Sequence, residues 1–308
     1  MSQASPVIET QGLTRSFRNS DAVSQLNISV QKDSVYAFLG PNGAGKTTTI
    51  RMLLNIITPS SGVAQVLSRN SRHLRSTDFQ RIGYVSENQK LPLWMTVSQF
   101  MNYLQPLYPT WNTSFATKLL NDFDLPMDRT LKHLSRGMRM KAALVGSLAF
   151  QPELLVLDEP FSGLDPLVRE EFLDGIIELT SQESWSIFIS SHDIDEVERI
   201  SDHVGLINEG RLLLSESVET LLASYRKVSL TTAEPEDDID NLPASWIMPR
   251  QKGRLLSFTE THYDESEFES QARQRFPKLQ NLTVESLSLK EIYLVIARNL
   301  KNEPSRLR

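Results

Sequence analysis

The chain contains no cysteine. That excludes disulfides, thiolate metal sites and a cysteine nucleophile, and it is compatible with a reducing compartment. A long apolar run is also lacking. The best one, Ala142–Phe150, is under half of the about 20 residues that a bilayer-crossing helix needs. The N-terminal segment MSQASPVIETQG is polar where a signal peptide would carry its apolar stretch. Any membrane role must therefore act through another protein. A strong charge of one sign is missing too: 32 Lys+Arg against 38 Asp+Glu leave a net charge of −6. Nucleic-acid binders usually carry a basic surplus, so nucleic acid is not an expected partner.

What is present is a chain of 308 residues, 40% apolar and 23% charged. That length suits two domains, or one large and one small, with ample core. Apolar β-type runs alternate with helical patterns up to about residue 215. Val35–Leu39, Leu154–Leu157 and Ser186–Ile189 read as buried strands, and Thr47–Ile57 as a helix. Strands separated by helices predict an α/β fold with a mainly parallel sheet. The stretch from Phe100 to Phe150 reads as mostly helical, with breaks at Pro106, Pro109 and Pro126.

The pattern changes near Ser215. Residues 233–243, AEPEDDIDNLP, hold five acids and two prolines and read as an exposed loop. Val228–Leu230 and Leu255–Phe258 read as strands and Glu265–Phe276 as a helix. Ser288 and Glu291 have capping-box spacing, with Leu289, Ile292, Ile296 and Leu300 following at helical intervals. A small C-terminal α+β module is expected. No internal repeat is found, so the site described next occurs once per chain.

Gly40-Pro41-Asn42-Gly43-Ala44-Gly45-Lys46-Thr47, followed by Thr48, fits G-x4-G-K-[ST] between a predicted strand and a predicted helix. Glycines let successive backbone N–H groups converge on one phosphate, and the helix N-terminus adds partial positive charge. Lys46 is expected on the β- and γ-phosphates, and the Thr47 hydroxyl on Mg²⁺. Asp158 and Glu159 end a buried strand. Asp158 fits a magnesium ligand, and Glu159 points elsewhere and could accept a proton from an attacking water. Taken alone, two acids at a strand tip are also what a solvated strand end looks like.

Further segments resemble the ATP-binding subunit of an ABC transporter. Leu134-Ser135-Arg136-Gly137-Met138 resembles the signature LSGGQ, and Ser162-Gly163-Leu164-Asp165-Pro166 the D-loop. His192 in Ser-Ser-His-Asp matches the switch histidine, Phe17 the aromatic that stacks on adenine, and Ile82–Glu87 the Q-loop. The resemblance covers about residues 6–225 and implies a P-loop NTPase core, an antiparallel β N-terminal subdomain and a helical subdomain at about 88–150. Residues 226–308 remain as the accessory α+β domain.

The resemblance implies a mechanism as well. Two ATPase subunits, identical or paralogous, meet head to tail, and each ATP lies between one phosphate loop and the other subunit's signature. Ser135 and Gly137 would meet that phosphate in trans. Asp165 would lie at the seam, Glu87 would face Mg²⁺, and Lys46, Glu159 and His192 would act in hydrolysis. A multi-span permease would be the membrane partner, and the chain would sit in the cytoplasm at the inner face of the membrane. Glu87 replaces the usual Gln, and Arg136 and Met138 replace Gly and Gln, as in the exporter-type branch with separate membrane subunits. One alternative is a non-transport ABC ATPase acting on nucleic acid or the ribosome. It lacks support from charge, from any sustained heptad run and from a second cassette. A P-loop kinase or GTPase would leave the signature-like segment unexplained.

Overall fold

The computed structural model describes residues 5–18, 20–182, 185–235 and 242–302, with the side chains of 178–182 and 300–302 left aside. The chain divides into two compact units, 1–215 and 216–308. The division thus falls ten residues before the 225/226 boundary expected from sequence, because helix Val218–Ser224 packs on helix Leu289–Asn302 of the second unit.

The first unit is built on a six-stranded sheet. Its order is Arg211–Ser217, His203–Asn208, Val35–Leu39, Ser186–Ser191, Leu154–Asp158 and Ile82–Ser86. The last five run parallel to their neighbours. Val35–Leu39, Leu154–Asp158 and Ser186–Ser191 are buried at every position. Layers on both faces explain why these strands read as unbroken apolar runs rather than as alternation. Parallel strands bring their carboxyl ends to one edge, where such sheets bind ligands. The register sets Asp158 beside Ser190 on one side and Ser86 on the other, and Leu39 beside Ser191.

A second sheet is antiparallel: Ile8–Phe17 pairs with Ser20–Leu26, Ser29–Val30 and Ser61–Val66, and Arg69–Asn70 forms its edge. Its inner residues Ile8, Leu13, Val23 and Val66 share a core with Ile50 and Leu53 of the helix Lys46–Leu53. That helix stops short of the expected Ile57. Asn55 adopts a left-handed backbone with φ +55°, a conformation that ends helices.

Three principal helices, Val97–Leu104, Thr113–Asp122 and Arg136–Leu148, fill the expected helical segment. Each opens on a side-chain cap, respectively Thr96, Asn112 and Ser135. Such caps satisfy amides that the first turn leaves free.

The second unit is a four-stranded antiparallel sheet, ordered Trp246–Lys252, Leu255–Glu260, Arg226–Thr232, Leu279–Ser286. Its core centres on Trp246, stacked on Phe258 at 4.3 Å between centroids and flanked by Phe268 and Phe276. Ser288 and Glu291 cap the last helix reciprocally, at 2.9 and 3.3 Å. Two strands had no sequence expectation, Trp246–Lys252 and Leu279–Ser286. The first carries Pro249, tolerated because it is an edge strand with a bulge. Within the acidic run, residues 236–241 lie outside the described residues.

Candidate active site

Leu39 ends a buried strand, and the loop from Gly40 to Gly45 leads directly into helix Lys46–Leu53. Pro41, Asn42 and Gly43 are exposed, Ala44–Lys46 buried, Thr47 and Thr48 half-buried. Gly45 has φ +109°, and a β-carbon there would fall 2.4 Å from the Ala22 carbonyl oxygen. Only glycine satisfies both conditions.

Lys46 is 5% exposed, and its ammonium points back into the loop. It donates to the carbonyls of Gly40 at 2.6 Å and Pro41 at 3.1 Å. It also forms an ion pair with Glu159 Oε1 at 2.9 Å. A buried ammonium needs such partners, since desolvation is otherwise severe. The loop is thereby held in shape by the cation that it presents.

The acidic strand end is divided as its sequence suggests. The Asp158 carboxylate accepts from Thr47 Oγ1 at 3.0 Å and from Ser190 Oγ at 2.8 Å. Burial pushes its carboxyl above the usual carboxylate range. The two hydroxyls oppose that shift, and the neighbouring Glu159 charge adds to it. Glu159 turns away on a left-handed backbone, φ +53°, pinned by its N–H donating to Ser190 O and Oγ at 3.2 and 3.1 Å. Over-determined strain of this kind is characteristic of functional positions. The second Glu159 oxygen contacts His192 Nδ1 at 2.7 Å.

Lys46, Thr47, Asp158, Glu159 and His192 thus form one connected network. Sequence reasoning missed its sixth member, Ser190. The only signal was its place two residues before His192. Behind His192, Ser191 Oγ donates to Glu196 at 3.0 Å, and Arg169 pairs with Glu196 at 2.8 Å, steadying the turn.

Ser135, Gly137 and Glu87 belong to a second cluster. Ser135 is exposed and caps helix Arg136–Leu148 by accepting from Met138 N at 3.1 Å. Gly137 lies flush on the next helix: a β-carbon there would meet Val168 Cγ1 at 2.5 Å. The Glu87 carboxylate accepts from Arg136 and Ser162. Asp165 caps the helix Pro166–Gln182 through Val168 N at 3.1 Å. Phe17 is 44% exposed, with the Arg15 guanidinium 4.5 Å from its ring centroid.

The ABC transporter family model matches residues 23–162, which include Lys46, Thr47, Asp158 and Glu159 of the first cluster and Glu87, Ser135 and Gly137 of the second, while Ser190 and His192 lie beyond it. The bacitracin transport ATP-binding protein BcrA of Bacillus licheniformis is 36% identical over 225 residues, 72% of this chain and 74% of that one. The chain belongs to the ABC transporter ATP-binding proteins. It is similar also to the daunorubicin/doxorubicin resistance ATP-binding protein DrrA of Streptomyces peucetius, 32% identical over 72% of this chain and 68% of the other. Among solved structures, an ATP-binding subunit of an ABC transporter superposes with TM-score 0.63 at 24% identity, over 70% of this chain and 91% of that one. MJ0796, a bacterial ABC transporter cassette solved as a dimer, gives TM-score 0.62 at 19% identity, over 68% and 98%.

An ABC ATP-binding protein binds and hydrolyses ATP to drive a transporter, and that is the activity of this chain. Among the described residues, no helix is long and apolar enough to cross a membrane.

Proposed function

We propose that the Lys46–Glu159 network is the hydrolytic half-site of this ATPase, completed by the signature segment of a second subunit. The observation that carries the reading is the meeting of Lys46, Thr47, Asp158, Glu159 and His192 at the carboxyl ends of adjacent parallel strands. Arriving phosphate oxygens replace the Gly40 and Pro41 carbonyls and the Glu159 carboxylate around Lys46. Glu159, released from Lys46, orients water and accepts its proton, with His192 holding the carboxylate in place. Backbone amides of Gly43–Thr48 and the helix N-terminus receive the negative charge. Phe17 stacks on the adenine through the ring face that Arg15 leaves free.

The donor set also fits Mg²⁺. Asp158 is a buried carboxylate whose charge is penalised, and the Thr47 hydroxyl sits on it at 3.0 Å. Magnesium takes one or two protein ligands and completes its shell from phosphates and water, so a hydroxyl and one carboxylate are a sufficient protein share. Thr47 and Asp158 would hold the ion, which would supply charge neutralisation at the β- and γ-phosphates.

The partner in the second half-site is another copy or a paralogue, contributing Ser135, Gly137 and the amides of its helix N-terminus. Asp165 lies beside that seam. The membrane partner is a separate multi-span permease, with this chain peripheral to the inner face of the membrane. A groove of about 660 Å³ lined by Trp94, Tyr103, Tyr108, Leu91 and Phe79 receives a cytoplasmic helix of that permease. Trp94, 73% exposed, offers the kind of aromatic anchor that interfaces favour. Transport is outward, in keeping with the resistance named for DrrA.

The test is Glu159→Gln. It should lower turnover by about 10²–10⁴-fold, retain ATP binding and accumulate an ATP-bound dimer visible by light scattering. Hydrolysis at the wild-type rate overturns the reading.

A further inference from the structure

Two residues at which the chain departs from the family pattern touch each other. Glu87 stands at the Q-loop glutamine position, and Arg136 at a signature glycine position. Arg136 Nη2 donates to Glu87 Oε1 at 2.5 Å, and Ser162 Oγ donates to the same oxygen at 2.9 Å. The backbone makes room for the guanidinium. Gly163, with φ +66°, faces it, and a β-carbon there would fall 2.5 Å from Arg136 Nη1. Glu87 N meanwhile donates to the Asp158 carbonyl at 3.0 Å. One end of Glu87 is therefore tied to the acidic strand and the other to the first residue of the helix that Ser135 caps.

We propose that Glu87, Arg136 and Ser162 form a matched set that positions the Ser135 end of the signature helix against the nucleotide core. In this chain Glu87 is a positioning residue and not a magnesium ligand. A glutamate alone would add negative charge near a triphosphate, and an arginine alone would leave an unpaired cation at the helix start. Together they restore the neutrality of a glutamine–glycine pair and add a tether. The side chains are 27% and 43% exposed, so the pair contributes little binding energy. Its effect is geometric, and geometry is costly to lose: a misplacement of about 1 Å can lower a rate about 10²-fold. The inference rests on the proposed role of Ser135 in the shared site.

The test exchanges the charges in the full-length chain: Glu87→Arg, Arg136→Glu, and both together. The Ser162 hydroxyl donates to a carboxylate or accepts from a guanidinium, so it suits either arrangement. Turnover is measured in chains that retain Glu159. Affinity for ATP, with and without Mg²⁺, is measured by calorimetry in a Glu159→Gln background. Each single reversal is expected to lower kcat at least about fivefold, and the exchange to recover it to within about threefold of wild type. The Mg²⁺-dependent gain in ATP affinity should stay within about twofold throughout, because positioning does not touch the metal side.

An exchange no better than the worse single variant overturns the proposal. So does loss of the Mg²⁺-dependent gain in Glu87→Arg. If a single reversal fails to fold by circular dichroism, Glu87→Gln combined with Arg136→Gly takes its place, and that double variant must outperform Arg136→Gly alone. A wild-type turnover indifferent to Glu159→Gln would instead remove the underlying site reading, whatever the exchange does.

Discussion

Glu159 Oε1 lies 2.9 Å from Lys46 Nζ, so the residue we propose to activate water is held by the cation of the phosphate loop. Both side chains are nearly buried, at 12% and 5% exposed. The contact is an ion pair rather than a directed hydrogen bond, while two loop carbonyls take proper hydrogen bonds from the same ammonium. On the proposed reading, the glutamate carboxylate stands where phosphate charge would bind, the base stays paired until a triphosphate displaces it, and binding is coupled to activation by exchange of partners on one lysine.

Removing the competitor should therefore tighten binding. In Glu159→Gln, Lys46 keeps only neutral partners, so ATP affinity is expected to rise. Turnover is expected to fall by about 10²–10⁴-fold, the usual contribution of a positioned general base. Calorimetry and phosphate release measure the two effects separately. Weaker ATP binding in this variant would contradict the competition.

Lys46→Ala acts in the opposite direction. Each charge-assisted contact to phosphate is worth about 1.5–3 kcal/mol, so affinity should fall about tenfold to about 150-fold. Glu159 is then buried without its cation, and the free protein should melt at a lower temperature. Unaltered affinity by calorimetry would rule out Lys46 as the phosphate cation.

The raised pKa of Asp158 has a defined sign. Burial raises its carboxyl pKa in the folded state. Between the ordinary aspartate value and the raised one, the folded chain binds more protons than the unfolded chain. Stability contributed by this group is therefore present at low pH, is lost as pH rises through that window, and is flat above it. Asp158→Asn removes the penalised charge while its amide oxygen still accepts from Thr47 and Ser190. The variant should melt higher than wild type at neutral pH, with a difference that shrinks on acidification, and should lose Mg²⁺-dependent turnover. Equal or lower melting temperature at neutral pH would count against the burial argument.

Phe17 supplies a test of base recognition. Arg15 covers one ring face and is itself anchored by donating to Thr58 O at 2.7 Å. Phe17→Ala should weaken ATP binding by about two- to tenfold, the worth of one aromatic stack, while leaving inorganic tripolyphosphate unaffected. Competition binding with both ligands distinguishes the cases. An equal loss for tripolyphosphate would place Phe17 with the phosphates instead.

Segments whose chemistry needs contiguous residues are legible in the sequence. Gly40–Thr47 must be adjacent, because consecutive amides have to converge on one phosphate. Asp158 and Glu159 must be adjacent, because a strand end and the turn after it send their side chains to different tasks. The Ser288–Glu291 cap is legible for the same local reason. Expectations fail where a distant constraint overrides local pattern. The phosphate-loop helix stops at Leu53 although its apolar pattern runs to Ile57, since Asn55 turns left-handed. Trp246–Lys252 hides behind Pro249 because only its edge position makes a proline acceptable.

By itself the sequence determined the phosphate loop, the two carboxylates and the ABC signature, all of which depend on residues near one another along the chain. Tertiary structure alone decided the pairings. Ser190 meets Asp158 because parallel register sets the ends of two strands side by side. Lys46 meets Glu159, and Arg136 meets Glu87, because separate segments converge at one sheet edge. Sequence specifies which groups exist and in what local geometry. Which charge neutralises which is settled only when burial makes an unpaired charge too costly to leave.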